Sequence, residues 1–345
     1  MSKFIQAPEH DVVISSRVRL ARNYADLPFS ARQSREHSEA VISRAREALE
    51  RAGQLENYAL YRMSELEADA RTSLVERHLI SYDLLKYASR AAAMISSGKT
   101  VSVMLNEEDH LRIQGLLPGM QLERSAQLAL DADDVLGAIY PFAFDPQWGY
   151  LTSCPTNTGT GMRASVMLHL PGLARSGQMA AVMQAVAKLG LTVRGIYGEG
   201  SDGKGDLYQL SNQVTLGRSE EDVIRTLVTA AAQMVENERS AREQLEKRDL
   251  LALQDKLMRS WGELTNARLM SGKEFMRRYS DIRFAASMGY LSIPQGELDQ
   301  LMMEMQPGSL AHKAGRLLSE REAEILRAER LAEELPKLVI EDLDE

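Results

Sequence analysis

The hydrophobic pattern of this chain changes its period near residue 219, and this change divides the chain into two parts that must fold differently. Before it, short alternating or apolar runs are separated by Gly, Pro and Asn, as at 101–105, 165–170, 191–197 and 207–210. Runs of this length with a period of two predict strands of a half-buried sheet. Amphipathic stretches between them predict helices at 35–52, 64–77 and 177–189. We therefore expect an α+β domain in which helices flank a sheet.

After residue 219 the pattern is helical almost throughout. Ser219, Ser271 and Ser319 are each followed three residues later by Asp or Glu, a spacing typical of helix N-termini. We predict an α+β domain over 12–241, followed by an all-α C-terminal domain over 242–345.

The composition excludes several classes of protein. The 345 residues include 41 Lys plus Arg and 49 Asp plus Glu, which gives a formal net charge of −8. Net repulsion then opposes general binding to nucleic acid or to an anionic membrane surface. No apolar run reaches the ~18 residues of a transmembrane helix, and the first residues lack the apolar core of a secretory signal. The single cysteine, Cys154, cannot form an internal disulfide, and we expect it to remain a reduced thiol in the cytoplasm.

A glycine-rich segment at 198–205 superficially matches two nucleotide-binding patterns. It contains G-x-G-x-x-G, and it also resembles a P-loop in which Gly205 replaces the required Ser or Thr. Both motifs need a helix directly afterwards, because the helix N-terminus receives the phosphate. Here the continuation at 206–210 has the pattern of a strand. We therefore interpret the segment as a mobile loop between two strands.

Three other segments carry residues suited to chemistry. Arg17 and Arg19 alternate in I-S-S-R-V-R-L-A-R, so both project from one face of an extended segment. Residues 106–112 read N-E-E-D-H-L-R and directly follow a predicted strand. Residues 151–165 read L-T-S-C-P-T-N-T-G-T-G-M-R-A-S, a tight loop that contains Cys154. Taken singly, these segments are typical of a solvated strand edge, a polar turn and an inert buried cysteine.

Taken together and in this order, the three segments resemble the ATP:guanidino phosphotransferases, the family of creatine and arginine kinases. A fourth match is V-R-G-I-Y-G-E at 193–199, and the resemblance extends from about residue 12 to residue 234. It implies a guanidino-kinase-like catalytic domain, with an antiparallel sheet flanked by helices. Creatine and arginine kinases carry a helical domain before the S-x-R-V-R segment, whereas here a helical domain follows the catalytic one. The sequence is therefore most similar to the bacterial branch that phosphorylates arginine residues in proteins, and the runs 194–201 and 210–217 are also closer to that branch.

The resemblance implies how ATP is bound. Arginine makes charge-assisted, often bidentate contacts with phosphate and cannot be deprotonated, which suits it to hold a triphosphate. The implied phosphate clamp is Arg17, Arg19, Arg112, Arg163 and Arg194. The implied nucleotide-binding set also includes Ser15, Ser16, Val18, His78, Ala164, Ser165, Val166, Met167, Gly195, Ile196, Tyr197, Gly198 and Glu199. Mg²⁺ is expected to be held mainly through the ATP phosphates, so no protein residue is assigned as a metal ligand.

The resemblance also implies the residues that act on the acceptor. A guanidinium must lose a proton as it is phosphorylated, although its pKa exceeds about 12. Glu108 is the implied general base, and Glu199 is its partner in gripping the planar cation. Cys154 is implied to lie beside the guanidinium as a thiolate that acts electrostatically and does not attack. The loop at 198–205 is expected to close over the substrate and exclude water.

The function that follows is phosphorylation of arginine residues in proteins. The resemblance implies a cytoplasmic homodimer active in stress response and protein quality control, whose product marks proteins for an ATP-dependent Clp protease and silences a heat-shock repressor. It leaves open the need for an activator protein and the identity of the protein substrates. Two alternatives remain: a phosphagen kinase acting on free arginine or another small guanidine, and an inactive ATP-binding adaptor. Retention of both glutamates, the cysteine and all five arginines argues against the adaptor.

One segment departs from the branch it resembles. That branch often carries R-D-x-x-R-A in its C-terminal domain, where the motif forms a regulatory site for phosphoarginine. Here residues 319–328 read S-E-R-E-A-E-I-L-R-A, and no alignment retains both halves of the motif. The alternative interpretation of this segment is a charged amphipathic helix.

Overall fold

The computed structural model describes residues 7–196 and 204–340, and within them the chain has the predicted α+β architecture. The strands are β1 (Val13–Arg22), β2 (Tyr58–Arg62), β3 (Ala92–Ser96), β4 (Val101–Leu105), β5 (Leu111–Pro118), β6 (Phe144–Asp145), β7 (Gly149–Tyr150), β8 (Met162–His169), β9 (Leu191–Gly195) and β10 (Leu207–Asn212). The α-helices are α1 (Arg35–Arg51), α2 (Ala68–Glu76), α3 (Leu122–Gly137), α4 (Pro171–Arg175), α5 (Met179–Ala187), α6 (Glu220–Arg248), α7 (Leu250–Asn266), α8 (Gly272–Ser287), α9 (Gln295–Glu304), α10 (Pro307–Ala314) and α11 (Glu320–Glu334).

Eight of these strands form one antiparallel sheet in the order β2-β3-β4-β5-β1-β8-β10-β9. One face of the sheet packs on α1, α3 and α6 and forms the main apolar core. The strand residues in this core alternate with residues of the other face, as the period-two pattern predicts. They include Val18, Leu20, Ile113, Ala164, Val166, Leu168 and Leu210, all fully buried.

The opposite face carries all five arginines of the implied phosphate clamp, and we call it the arginine face. Arg19 on β1 stands directly opposite Arg163 on β8, and Arg17 stands opposite Ser165. On the other side of β1, Arg19 pairs with Gln114 of β5. Arg112 lies two residues from Gln114 on the same strand and therefore on the same face. Directly opposed residues of antiparallel strands share a face, so the register alone brings four of these arginines together. Arg194 on the edge strand β9 joins the same face through its pairing with Gln209.

The predicted strands are confirmed, with ends that shift by up to three residues. The helices predicted at 35–52 and 177–189 are also confirmed as α1 and α5. The helix predicted at 64–77 is shorter, because the chain turns at 63–66 and α2 begins only at Ala68. The strand predicted after the glycine-rich segment is β10, whereas residues 197–203 lie outside the described residues.

The three predicted helix starts in the second part are confirmed. The hydroxyls of Ser219, Ser271 and Ser319 accept hydrogen bonds from main-chain N–H groups three residues later, at the starts of α6, α8 and α11. Such caps satisfy N–H groups that have no partner within the helix. The predicted division between 241 and 242 falls inside the continuous helix α6.

Helices α7 to α11 form a second apolar core beside the arginine face. This core includes three residues of the sheet domain, Ile14, Met167 and Leu207, packed with residues such as Phe275 and Tyr279. Arg283 on α8 also joins the two parts, because it donates through Nη2 to the carbonyl oxygen of His10 at 2.8 Å. Within the helical part it donates through Nε to Asp299 on α9 at 2.8 Å, forming a buried ion pair. Among the helices described, none is both long enough and apolar enough to cross a membrane.

Candidate active site

The arginine face concentrates positive charge that is only partly compensated. Arg17 donates through Nη2 to the side-chain oxygen of Gln209 at 3.1 Å. Arg163 donates through Nε to Asn157 at 3.3 Å and through Nη1 to the carbonyl oxygen of Asn212 at 3.4 Å. These partners are neutral, so they orient the guanidinium groups without cancelling their charge. Such a surface favours a ligand with several negative charges.

Arg19 lies at the centre of this cluster and carries the clearest sign of strain. Burial and the nearby charges of Arg17 and Arg112 lower the pKa of Arg19 well below its usual range. Its Nε atom is buried and has no hydrogen-bond partner among the described residues. An unsatisfied buried donor is costly, and an anion bound at this face would satisfy it. Arg19 therefore fits the binding of a phosphate group.

The N-E-E-D-H-L-R segment positions the site through its buried members. Asn106 starts the turn in the left-handed region at φ 62°, which Asn tolerates better than most residues. Glu107 is buried, accepts a hydrogen bond from Nη1 of Arg112 at 2.5 Å and accepts another from the hydroxyl of Ser81. This contact fixes the direction of Arg112. His110 is also buried and binds main-chain groups of Tyr24 and Pro28, so its role is structural.

Asp109 connects this turn to the loop that contains Cys154. Its Oδ1 atom accepts a hydrogen bond from the main-chain N–H of Ser153 at 2.6 Å and another from Nδ2 of Asn23 at 2.7 Å. Since Glu108 precedes Asp109 and Cys154 follows Ser153, the contact brings together the two segments that carry the implied base and the implied thiol. It spans 44 residues of sequence.

Glu108 and Cys154 are both accessible at this junction. Glu108 is exposed, whereas Glu107, Asp109 and His110 are buried. Partial burial and the nearby charges of Asp109 and Glu107 raise the pKa of Glu108. Cys154 is half-buried, and its Sγ lies 3.1 Å from Oγ1 of Thr156. A carboxylate with a raised pKa is a better proton acceptor, as a general base requires.

Replacing Asp109 by Ala should slow catalysis by displacing the Cys154 loop. The change leaves the N–H of Ser153 and the amide of Asn23 without their acceptor, and we expect a stability loss of about 1–3 kcal/mol. The turnover number should fall, while the KM for ATP changes little. Steady-state kinetics and thermal unfolding measure both effects. Asp109→Asn is the matched control: one side-chain oxygen accepts both bonds, so this variant should retain most activity. Equal losses in the two variants would contradict the role given to the contact.

A cavity of about 440 Å³ opens between the sheet and α9. It shares Ser15, His78, Leu116 and Met167 with the small recess around Arg17. Burial and the nearby Arg17 and Arg19 lower the pKa of His78 to about 4, so its imidazole is neutral at pH 7. A neutral ring and apolar side chains next to the arginine face suit a nucleoside.

The C-terminal domain contributes to the wall of this cavity. Asp299, Gln300, Met302 and Met303 of α9 line it on the side opposite the sheet. The nucleoside-sized space therefore lies at the junction of the two domains, a common position for ligand sites.

Several residues in the implied nucleotide-binding set turn their side chains elsewhere. Val18, Ala164 and Val166 point into the main apolar core. Ser16 lies on the same side as these residues, and its hydroxyl donates to the carbonyl oxygen of Gly119 at 2.8 Å. Ile196 packs against the core of the helical domain. Ser15, Ser165 and Met167 alternate with these residues and lie on the arginine face.

The remaining members of the set occupy the edge of the sheet or lie beyond it. Arg194 is exposed on β9, and Gly195 is the last residue of that strand. Tyr197, Gly198 and Glu199 lie outside the described residues. The described residues contain no group of three or more His, Cys, Asp or Glu side chains that could hold a metal ion.

The residues that support the site were not predicted from the sequence. Glu107, Asp109 and Ser81 hold charged or loop residues in place, and Gln209 orients Arg17. Asn212 ends β10 and binds the N–H of Ala164 at 2.8 Å through its side-chain oxygen. The available signal was the alternation of the 207–210 strand, which places Gln209 on the same face as the arginines.

The segment that departs from the expected regulatory motif forms the start of α11. Ser319 and Glu322 make a reciprocal capping box at its N-terminus. Arg327 is buried, donating through Nε to the carbonyl oxygen of Met305 and through Nη1 to that of Met270, both at 2.8 Å. Arg327 thus ties α11 to two neighbouring segments of the helical domain.

Two family models match the chain. Residues 40–241 match the model described as ATP:guanido phosphotransferase, C-terminal catalytic domain. Residues 251–344 match the model described as protein-arginine kinase McsB C-terminal domain. Together the two matches cover most of the chain. The unmatched residues between them lie at the end of α6 and the start of α7.

Several curated proteins of similar sequence are named protein-arginine kinase. The protein-arginine kinase of Caldanaerobacter subterraneus is 44% identical over 331 residues, which are 95% of this chain and 98% of that protein. The protein-arginine kinase of Pelotomaculum thermopropionicum is 46% identical over 340 residues, 96% of this chain and 95% of that protein. The protein-arginine kinase of Geobacillus stearothermophilus is 42% identical, and the match covers 96% of this chain and 92% of that protein.

Solved structures show the same fold. The duplicated taurocyamine kinase of Schistosoma mansoni, with bound transition-state-analog components, is 27% identical with a TM-score of 0.58. The match covers 66% of this chain and 33% of that duplicated chain. Lombricine kinase is 24% identical with a TM-score of 0.57, and the match covers 70% of this chain and 71% of that chain.

Proposed function

The chain belongs to the ATP:guanidino phosphotransferase family, and on that premise we propose that it is a protein-arginine kinase, which transfers the γ-phosphoryl group of ATP to arginine side chains of proteins. The observation that carries the proposal is the convergence of Arg17, Arg19, Arg112 and Arg163 on one face of the sheet. The C-terminal domain, matched by a model specific to protein-arginine kinases, supports proteins as the acceptor.

The arginine face would bind the triphosphate, with the nucleoside in the adjacent cavity lined by His78 and Met167. Arg19 would gain a partner for its Nε, which has none among the described residues. Because the guanidinium groups are already held by Glu107, Gln209 and Asn157, little reorganisation is needed when charge develops on the transferred group. Mg²⁺ carried on the ATP phosphates would neutralise part of their charge.

Glu108 would accept the proton that the acceptor nitrogen loses. In the balanced step, a bond forms between this nitrogen and the γ-phosphorus, the bond to the β,γ-bridging oxygen breaks, and ADP leaves with its electron pair. Cys154 would lie next to the acceptor as an electrostatic contact. Glu199 keeps its proposed role as the second carboxylate, although it lies outside the described residues.

The wider role belongs to the same proposal. Arginine phosphorylation would serve stress response and protein quality control in the cytoplasm, with the chain acting as a homodimer. Its products would be directed to an ATP-dependent Clp protease, and a heat-shock repressor would be among its targets. An activator protein could stimulate the reaction.

A competition between acceptors tests the proposal. The chain is incubated with γ-labelled ATP, Mg²⁺ and an unfolded arginine-rich protein together with free arginine at the same arginine concentration. We expect label on the protein that is lost in acid, because the phosphorus–nitrogen bond of phosphoarginine is acid-labile, whereas the phosphate ester of phosphoserine survives acid. Label on free arginine alone would instead identify a phosphagen kinase, and the absence of transfer to either would identify an adaptor.

Replacing Cys154 by Ser should impair transfer with little effect on stability. The side chain is half-buried and its described polar contact is with Thr156, so the fold depends on it only weakly. Loss of the contact between this sulfur and the guanidinium should lower kcat by about 10- to 100-fold. Rate assays and thermal unfolding distinguish the two effects, with Thr156→Val as the control that removes only the contact partner. A large drop in melting temperature at normal activity would show that the cysteine is structural.

A further inference from the structure

Helix α10 of the C-terminal domain begins without a cap of its own. Its first residue is Pro307, which has no N–H group, and the side chain of the preceding Gln306 forms no capping hydrogen bond. The first N–H groups of a helix have no acceptor within it. The N–H groups of Gly308 and Ser309 must therefore find an acceptor in another segment.

Glu76, the last residue of α2 in the sheet domain, supplies this acceptor. Its Oε1 accepts a hydrogen bond from the N–H of Gly308 at 2.7 Å. Its Oε2 accepts one from the N–H of Ser309 at 2.7 Å and one from the hydroxyl of Ser309 at 2.9 Å. A carboxylate is also the charge favoured at a helix N-terminus. We call these three hydrogen bonds the α2–α10 contact.

The two helices approach each other closely at this contact. A Cβ on Gly308 would lie 2.5 Å from Cγ2 of Thr72 and 2.7 Å from its Cβ. Thr72 lies on α2, four residues before Glu76, and therefore on the same side of the helix. The α2–α10 contact thus depends on the absence of a side chain at residue 308.

The α2–α10 contact joins the two walls of the cavity beside the arginine face. On the side of the sheet domain, His78 lines the cavity and follows Glu76 by two residues. On the other side, Gln300 and Met303 of α9 line the cavity, and α9 ends three residues before Pro307. The position of one wall relative to the other is therefore set where α2 meets α10.

The wall formed by α9 is held firmly to α10. Lys313 on α10 donates to Glu304, the last residue of α9, at 2.5 Å. Gln306, between the two helices, donates through Nε2 to the carbonyl oxygen of Met302 at 2.9 Å. A displacement of α10 would therefore displace α9 with it.

The wall formed by His78 is held by both α2 and the sheet. His78 has a φ of 58°, in the left-handed region, which a residue other than glycine keeps only where its surroundings hold it. Its N–H bonds to the carbonyl oxygen of Val75 in α2 at 2.9 Å. Its own carbonyl oxygen accepts a hydrogen bond from Nε2 of Gln114 at 2.8 Å. The conformation of His78 thus depends on where α2 lies against the sheet.

We propose that the α2–α10 contact sets the affinity of the chain for ATP, with Glu76 as a positioning residue that acts through His78 and α9. This inference rests on the proposed function, because it takes the cavity to hold the nucleoside of ATP. Without the contact, only a fraction of the molecules has the two cavity walls at the spacing that ATP binds. The apparent Kd for ATP rises in inverse proportion to that fraction.

Glu76→Ala tests the contact from the side of the sheet domain. The Kd for ATP, measured by calorimetry, should rise about tenfold, which corresponds to a competent fraction of about one tenth. The KM for ATP should rise with it, whereas kcat at saturating ATP should stay unchanged, because bound ATP itself selects the competent conformation. Glu76→Gln retains one acceptor oxygen and should give an intermediate Kd. Glu67→Ala is the matched control: Glu67 is exposed at the start of the same helix and its side chain forms no capping hydrogen bond, so ATP affinity should not change.

Gly308→Ala tests the same contact from the C-terminal domain and leaves Glu76 and the cavity residues unaltered. Alanine favours a helix more than glycine does, so a loss of ATP affinity cannot come from a weaker α10. We expect the added methyl group to overlap Thr72, separate the helices and raise the Kd for ATP as Glu76→Ala does. Gly262→Ala on α7 is the matched control, because a Cβ there meets no atom within 4 Å among the described residues.

Hydrogen exchange of the wild-type protein tests the coupling without any variant. Since coupling between two events is reciprocal, ATP should slow exchange in peptides that contain Gly308 and Ser309. Peptides from α7, which contributes no residue to the cavity among those described, should exchange at the same rate with and without ATP. Unchanged exchange at residues 308 and 309 under saturating ATP would contradict the proposal.

Failure of this proposal differs measurably from failure of the proposed function. If the wild type binds ATP and the variants bind it equally tightly but melt at a lower temperature, the contact is only structural and the proposal is wrong. A fall in kcat with an unchanged KM for ATP would also overturn it. If the variants lose ATP affinity as expected but the wild type phosphorylates no arginine, the proposed function is wrong and the α2–α10 contact keeps its role. A wild type that does not bind ATP would refute both.

Discussion

Glu108→Gln should abolish most phosphoryl transfer while ATP binding stays nearly intact. The amide keeps the shape of the carboxylate but cannot accept the acceptor's proton, and loss of a general base typically lowers kcat by about 100- to 10,000-fold. ATP affinity should persist because Glu108 lies outside the arginine face, and the arginine nearest to it in sequence, Arg112, is held by Glu107. Calorimetric titration with ATP and rate assays on an unfolded protein measure the two properties.

The pH dependence of the wild type provides an independent test of Glu108. A base must be ionised, so activity is lost as the pH falls through its pKa. Because burial and the carboxylates of Asp109 and Glu107 raise the pKa of Glu108, the acid limb of kcat should lie above the ordinary value of 4.5. Glu123→Gln, at an exposed position in the first turn of α3, is the matched control and should leave rate and profile unchanged. Normal turnover of Glu108→Gln would remove Glu108 from the role of base.

Arg19→Met should destroy activity and at the same time stabilise the free protein. Met has a similar length but no charge, so the central phosphate contact is lost, and a single arginine at such a site contributes about 1,000-fold or more to kcat. The stability gain follows from the lowered pKa of Arg19: folding costs free energy as long as this guanidinium stays charged beside Arg17 and Arg112. For a domain of this size, each kcal/mol gained raises the melting temperature by about 2–4 °C.

Ligand-dependent unfolding makes this prediction specific. ATP should raise the melting temperature of the wild type, since it binds only the folded state, and should raise that of Arg19→Met far less. Arg51→Met is the control, because Arg51 is exposed on α1 and pairs with Glu47 at 2.6 Å. That variant should keep both its activity and its response to ATP. A lower melting temperature for free Arg19→Met than for the wild type would contradict the strain attributed to the arginine face.

The arginine face was largely predictable from the sequence, whereas its supports were not. Alternation in β1 places Arg17 and Arg19 on one side, and the family motifs supply Arg112, Arg163 and Arg194. The contact from Asp109 to Ser153 joins segments 44 residues apart and depends on how two turns meet. No local pattern encodes such a meeting, since turn residues are chosen for backbone geometry and for distant partners alike.

The starts of helices depend on nearby residues, whereas the division between the domains and the cavity between them depend on tertiary structure. The starts of α6, α8 and α11 were predicted, because an N-cap depends on residues three positions apart. The division between 241 and 242 falls inside α6, since a helix that continues from one domain to the next carries no terminating residue there. The cavity beside His78 was not predictable, because α9 forms one wall of it and the sheet forms another.

The most direct test of the central claim is mass spectrometry of an unfolded protein after reaction with this chain, ATP and Mg²⁺. Digestion at neutral or alkaline pH preserves the acid-labile phosphorus–nitrogen bond. We predict phosphate on arginine residues in the wild-type reaction and none in the Glu108→Gln reaction. Phosphate found on serine, threonine or tyrosine instead, or on free arginine alone, would contradict the account.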